Sequence, residues 1–230
     1  MGRSAASCIE AVLFDCDGVL VDSEIISMEV DRTHLDGIGL CYAPQEFAQR
    51  FIGLSDTDYR SALEADYARQ CGGAIPDGFF QGMKQAYRAR LASHLAAVPG
   101  AGETLMGWPG PKAVASSSSL AQLESKLRLT KLWDQVAPHV YSAEQVRAGK
   151  PEPDVFVFAA ARLSKPPAAC LVIEDSLNGV LAGRAAGMRV WGFTGGGHAD
   201  AGLAGRLMAL GAEHCFSSHA DLRAALLGQA

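Results

Sequence analysis

The chain has 230 residues, 49% of them hydrophobic and 20% charged, the proportions of a folded globular protein with a full core and not of a disordered one. A formal net charge of -5 gives no footing for non-specific binding to nucleic acid or an acidic membrane, so a small anionic substrate needs local positive charge. Six cysteines (Cys8, Cys16, Cys41, Cys71, Cys170, Cys215) without a CxxC pair argue against a structural zinc site and a disulfide framework, and for a reduced, cytoplasmic protein.

In chain order, Met1 to Ala6 has no apolar signal core, and Ala6 stands where a myristoylation motif needs Ser or Thr. No run approaches about 18 apolar residues, so no transmembrane helix is expected. Ala11 to Phe14 reads as a buried parallel strand that delivers Asp15 and Asp17 at its carboxyl end, followed at once by Gly18. Residues i and i+2 of an extended chain point to one side, so both carboxylates face one cleft. At roughly 4 Å and an effective dielectric of about 20 their repulsion is on the order of 4 kcal/mol, which calls for a cation, a proton, or both. Cys16 between them is expected to be a buried, inert thiol.

Residues 23–96 change character to polar stretches with apolar residues at helical intervals, predicting an insert of three to five helices. From Pro99 the pattern becomes strand, turn, helix, repeated. Lys112 to Ala115 is a short strand, then come Ser116 to Ser119 and a helix with Leu120, Leu123 and Leu127 on one face, capped by Ser119 with Gln122. The serine run alone reads as a flexible loop ending in a cap. Val136 to Tyr141 is taken as the next strand, and Gly149-Lys150-Pro151-Glu152-Pro153-Asp154 opens a helix over Val155 to Leu163. Cys170 to Ile173 is a buried strand ending in Glu174-Asp175-Ser176; its helix stops near Gly187. Arg189 to Phe193 and Glu213 to Phe216 are the last strands before a terminal helix. Gly195 to Gly197 reads as a flexible loop, and His198, His214 and His219 as surface or capping residues. The alternation implies an α/β fold, a doubly wound parallel sheet with its site at the carboxyl ends of the strands. The domains are then residues 1–22 with 97–230 as catalytic core and 23–96 as a helical insert.

Four carboxylates (Asp15, Asp17, Glu174, Asp175) fall at those strand ends and one lysine (Lys150) on a loop before a helix, and a phosphate ester arriving with about two negative charges would be repelled without a divalent cation. The all-oxygen set suits magnesium better than zinc. One carboxylate can attack phosphorus, a second acid can protonate the leaving oxygen, and Ser116 and the backbone behind it offer neutral donors.

Together the motifs resemble the haloacid dehalogenase superfamily, in its phosphatase and beta-phosphoglucomutase-like branch with a helical cap inserted after the first motif. The matching segments are Asp15 to Asp22, Ser116 after Ala113-Val114-Ala115, Lys150, and Glu174-Asp175-Ser176 with Asn178-Gly179. The resemblance implies that Asp15 is the nucleophile, forming an aspartyl-phosphate, and that Asp17 is the general acid and then base. It implies a Mg2+ site made by Asp15, the main-chain carbonyl of Asp17, Asp175, and Glu174 directly or through water. Ser116, Ser117 and Lys150 would bind the phosphoryl group, and Arg50, Gly53 and Ser55 lie in the stretch that resembles the family's specificity loop; Lys84 or Arg88 is read as reaching the leaving group.

The expected reaction is magnesium-dependent hydrolysis of a small phosphorylated metabolite, a sugar or sugar-acid phosphate. No nucleic acid or membrane partner is expected, and the assembly is a monomer or weak homodimer. Asp17 argues against carbon-halogen cleavage. A phosphomutase remains the alternative, weakened because Ser27 stands where the mutase has a histidine and Asp56 where it has an arginine. A non-catalytic module binding phosphate or magnesium is the alternative of another class.

Overall fold

The computed structural model describes residues 9–51 and 56–228. Six parallel strands form one sheet in the order β3-β2-β1-β4-β5-β6: β1 Ala11–Phe14, β2 Lys112–Ser116, β3 Val140–Ser142, β4 Cys170–Glu174, β5 Arg189–Phe193 and β6 His214–Phe216. Every residue of β1 and β4 is buried, as helices on both faces of a parallel sheet require. Leu13 is in register with Ala113 on one side and Val172 on the other. The core on one face runs through Leu13, Ala115, Phe156, Val172, Val180 and Leu207. The chain leaves β1 towards β2 on one side and returns to β4 on the other, so the strand order reverses between β1 and β4, the place at which sheets of this kind form a crevice outside their carboxyl ends.

The helices of this unit are α5 Ala101–Gly107, α6 Leu120–Leu129, α7 Trp133–Val136, α8 Asp154–Arg162, α9 Leu177–Ala185, α10 Leu203–Ala209 and α11 His219–Leu227, numbered after four in the insert. Ser119 and Gln122 make the expected reciprocal cap on α6. Leu123 and Leu127 are buried, but Leu120 is exposed. Val136 to His139 is not strand: a helical turn ends at Val136, and β3 starts only at Val140. An apolar run interrupted by Pro138 cannot pair along its length, because proline offers no N–H to the ladder.

By its contacts the chain divides into residues 1–22 with 96–230, and residues 23–95. The second unit holds α1 Ser23–Gly37, α2 Pro44–Phe51, α3 Asp56–Gln70 and α4 Phe79–His94, the elements found there among the described residues. One apolar cluster gathers Leu35, Leu40, Tyr42, Phe47, Phe51 and Leu63, another Ile26, Val30 and Met83. The two crossings between the units run side by side, with the Val98 N–H donating to Leu20 O at 3.0 Å and the Asp22 N–H to Ala96 O at 3.0 Å. Among the described residues no helix is long and apolar enough to cross a membrane.

Candidate active site

The β1/β4 crevice is lined by the turns that leave the carboxyl ends of its strands. Asp15 leaves β1 with its N–H donating to Ile173 O at 3.0 Å, and the chain then turns tightly, the Val21 N–H donating to Cys16 O at 3.0 Å and the Gly18 N–H to Val21 O at 2.8 Å. Gly18 sits at φ 78°, and a Cβ there would run into the Asp175 carboxylate. Only glycine permits both that dihedral and that approach. Cys16 is fully buried, and burial pushes its thiol well above the usual range, as expected of an inert residue.

On the β4 side, Glu174 and Asp175 are buried and Ser176 caps α9, accepting from the Gly179 N–H at 3.0 Å. Gly179 fits because a Cβ would overlap Glu174. Both Glu174 oxygens are engaged: Oε1 accepts from Lys150 Nζ at 2.5 Å, and Oε2 from the Ser176 N–H at 3.0 Å and Oγ at 2.9 Å. Lys150, on the loop between β3 and α8, also donates to Asp15 Oδ1 at 2.5 Å. Burial alone would lower the Lys150 ammonium, but Asp15 and Glu174 outweigh it and hold it raised and charged. Asp15 is raised well above the ordinary carboxylate range by burial first, against the pull of Lys150, with Glu174, Asp175 and Asp17 adding repulsion. Asp175 is raised for the same leading reason, offset by His198.

This concentration of buried negative charge fits a divalent cation, and the donors are all oxygen. Among the described residues no three His, Cys, Asp or Glu side chains form a metal-holding group. The groups that would hold a cation here are the Asp15 and Asp175 side chains, with a main-chain oxygen of the Asp17 loop, whose backbone Gly18 brings against Asp175. Glu174, with both oxygens committed, would act at one remove.

Asp17 lies on the β2 side of the crevice. Its Oδ1 accepts from Lys126 Nζ at 2.5 Å and its Oδ2 from Ser118 Oγ at 2.7 Å. Ser116 ends β2, buried, with its Oγ accepting from the Ser118 N–H at 3.2 Å. Ser117 is exposed. The run is therefore not a loose loop: the Ser118 carbonyl is tied to Ser142 Oγ at 2.8 Å.

Three residues escaped the sequence reading. Lys126 is 4% exposed, on the buried side of α6; the signal was its place three residues after Leu123 in the apolar stripe. His198 is no surface residue: its Nε2 lies 3.1 Å from Asp175 Oδ2, with its side chain 7% exposed. The loop before it is packed, since the Gly197 N–H donates to Asp22 Oδ1 at 3.0 Å and a Cβ on Gly196 would press on Gly18 O. His219 is buried, with Nε2 donating to Val19 O at 2.8 Å. No local sequence pattern marks either histidine, because their partners lie far away in the chain.

In the helical unit, Arg50 forks onto Asp66 through Nε at 2.7 Å and Nη2 at 2.5 Å, with Arg69 and Tyr42 on the same carboxylate. Lys84 and Arg88 are exposed on α4. Gly53 and Ser55 lie outside the described residues.

A model of the haloacid dehalogenase-like hydrolase family matches residues 9–187. The bifunctional riboflavin kinase/FMN phosphatase of Arabidopsis thaliana is 33% identical over 193 residues, 83% of this chain and 50% of that protein, so the chain spans half the length of this relative. The 6-phosphogluconate phosphatase of Escherichia coli is 28% identical over 196 residues, covering 84% of this chain and 86% of that one. A solved HAD family hydrolase of Deinococcus radiodurans, with bound phosphate and sodium, is 37% identical, covers 97% of both chains and has a TM-score of 0.84. A six-stranded parallel sheet of this order agrees with that match, and the chain belongs to the haloacid dehalogenase-like hydrolases.

Proposed function

We propose that the protein is a magnesium-dependent phosphatase that hydrolyses a small phosphorylated metabolite, a sugar or sugar-acid phosphate, through an aspartyl-phosphate on Asp15. The observation that carries this reading is the buried Asp15 carboxylate bridged by Lys150 to Glu174 at the strand-order reversal, with the buried Asp175 following on the neighbouring strand. Relatives that are phosphatases of 6-phosphogluconate and of FMN support the reaction class and a phosphorylated small molecule.

Asp15 attacks phosphorus, the bond from phosphorus to the leaving oxygen breaks, and Asp17 gives that oxygen a proton. Water then attacks the phosphoryl group, Asp17 takes the water's proton, the bond to Asp15 breaks, and inorganic phosphate leaves. Lys150 holds the Asp15 carboxylate in line and shares the charge of the equatorial oxygens, which Ser116, Ser117 and the backbone N–H groups behind them also receive. A bound magnesium ion would supply charge neutralisation for those oxygens, held by Asp15, Asp175 and the Asp17 carbonyl.

The test is release of inorganic phosphate from a panel of sugar, sugar-acid and flavin phosphates and an aryl phosphate, with and without magnesium. Release that requires magnesium and falls at least about 10³-fold in Asp15→Asn is expected. No release from any ester, or release untouched by the substitution, rejects the reading. Isomer formation without phosphate release would point to a mutase.

A further inference from the structure

The reaction scheme gives Lys126 no role. A lysine ammonium buried on the inner side of a helix is costly unless paired, and replacing such a pair by apolar groups of similar volume is often neutral or stabilising. Lys126 therefore needs a reason beyond stability, and its contacts give one. Its Nζ donates to Asp17 Oδ1 at 2.5 Å and to Ser118 Oγ at 3.1 Å, while Ser118 Oγ donates to Asp17 Oδ2 at 2.7 Å. The three groups close a triangle in which each Asp17 oxygen has a partner from α6 or the β2–α6 loop. That loop is fixed in turn by Ser142 on the Ser118 carbonyl and by Ser116 on the Ser118 N–H. The Lys126 side chain is 5% exposed and that of Asp17 is 17% exposed, so the carboxylate is the more accessible of the two.

We propose that Lys126, with Ser118 as its partner, is a positioning residue for Asp17: it holds the carboxyl group in the single rotamer from which a proton reaches the leaving oxygen. This rests on the reading of Asp17 as acid and base. Without Lys126 the Asp17 side chain keeps its carboxyl group but loses the ammonium that fixes it and samples other rotamers, so reaction is lost in proportion to how much the leaving group needs a proton. A nitrophenolate departs with little help, whereas phenolate needs a donor; correctly placed acid catalysis is worth about 10²- to 10⁴-fold.

The experiment compares single-turnover release of 4-nitrophenol and of phenol from their phosphate monoesters, with magnesium and enzyme in excess, for the wild type, Lys126→Met, Lys126→Gln and Asp17→Asn. Phenol release in Lys126→Met is expected to fall about tenfold or more beyond any fall in nitrophenol release. Lys126→Gln, which keeps a donor towards Asp17, should lie between Lys126→Met and the wild type, and it carries the same comparison if the Met variant does not fold. Equal losses on the two esters, or no loss, would overturn the proposal while leaving the reaction scheme intact, provided that Asp17→Asn discriminates between them. If Asp17→Asn also treats both esters alike, the assignment of the proton to Asp17 fails and the role of Lys126 fails with it.

Discussion

At Gly18 one hydrogen in place of a methyl group decides how close the Asp15–Asp17 loop comes to Asp175. The φ of 78° is strained for any other residue, and the space a Cβ would take belongs to the Asp175 carboxylate and the His198 ring. Gly18→Ala is expected to destabilise the protein by about 1–3 kcal/mol and to lower kcat/KM on the order of 10²-fold, because a displacement of about 1 Å among reacting groups has that effect. Thermal unfolding and steady-state kinetics check the two parts separately; a variant with near wild-type turnover would show that the close approach is dispensable. His198 contacts the same carboxylate oxygen. On the proposed metal site, His198→Ala is expected to weaken magnesium binding about tenfold, read by competition with Mn2+ in an electron paramagnetic resonance titration, since groups that orient a metal's ligands have effects of that size. Unchanged affinity would reduce the His198–Asp175 contact to packing. Gly18 was legible because it follows the Asp15 and Asp17 pair at once in the sequence. Lys126 and His198 were not, because each reaches its carboxylate across more than 20 residues of intervening chain.

At the scale of elements, the helical unit is organised around a buried charge as much as around its apolar clusters. Asp66 is buried on α3 and receives Tyr42, Arg50 and Arg69. Burial would raise its carboxyl, but Tyr42 and Arg50 outweigh that and hold it below the usual range, so this contribution to stability is present at neutral pH and lost as pH falls through the lowered value. Arg50→Ala is expected to cost about 1–3 kcal/mol, because it removes two charge-assisted bonds to a buried carboxylate while Arg69 and Tyr42 remain. Lys84→Ala, at an exposed position, should stay within about 0.5 kcal/mol of the wild type. A change in substrate preference at Lys84 can thus be read directly, whereas at Arg50 it must be separated from the stability loss.

Asp31 on α1 has the opposite sign. Burial raises it to about 6, against the Tyr59 hydroxyl that donates to it at 3.0 Å and the pull of His34. The folded state holds this proton longer than the unfolded one, so stability is full below about pH 4 and declines towards pH 6 by up to about 3 kcal/mol, less what solvent screens at a half-buried group. Asp31→Asn keeps the acceptor for Tyr59 and should raise the melting temperature at pH 7 while matching the wild type at pH 4. A difference that does not change with pH would place the effect in packing.

For the whole molecule, the parallel sheet and the strand ends at Asp15, Ser116 and Glu174 were legible because each is a contiguous run whose apolar stretch, turn and polar end are local. What was not legible is how the last element closes onto the first. His219, at the start of α11, donates from Nε2 to Val19 O at 2.8 Å, and its Nδ1 lies 3.1 Å from Thr104 Oγ1 on α5. The C-terminal helix thereby satisfies a carbonyl of the loop that carries the proposed nucleophile, 200 residues away in the chain. Burial lowers the His219 imidazole below its ordinary 6.5, only partly offset by the Val19 carbonyl and Glu103. The folded protein therefore binds this proton less readily than the unfolded chain; stability is full above about pH 6.5 and falls as pH drops from there towards the lowered value. In His219→Gln, which can still donate to Val19 O but does not titrate, that part of the acid sensitivity should vanish: its melting temperature should fall less than the wild type's between pH 7 and pH 5. Because the Val19 carbonyl belongs to the turn after Asp15, His219→Ala, which leaves that carbonyl without this donor, should lose turnover at pH 7 where His219→Gln does not. Equal turnover in the two variants would mean that the closure of the last helix onto the first loop serves stability alone.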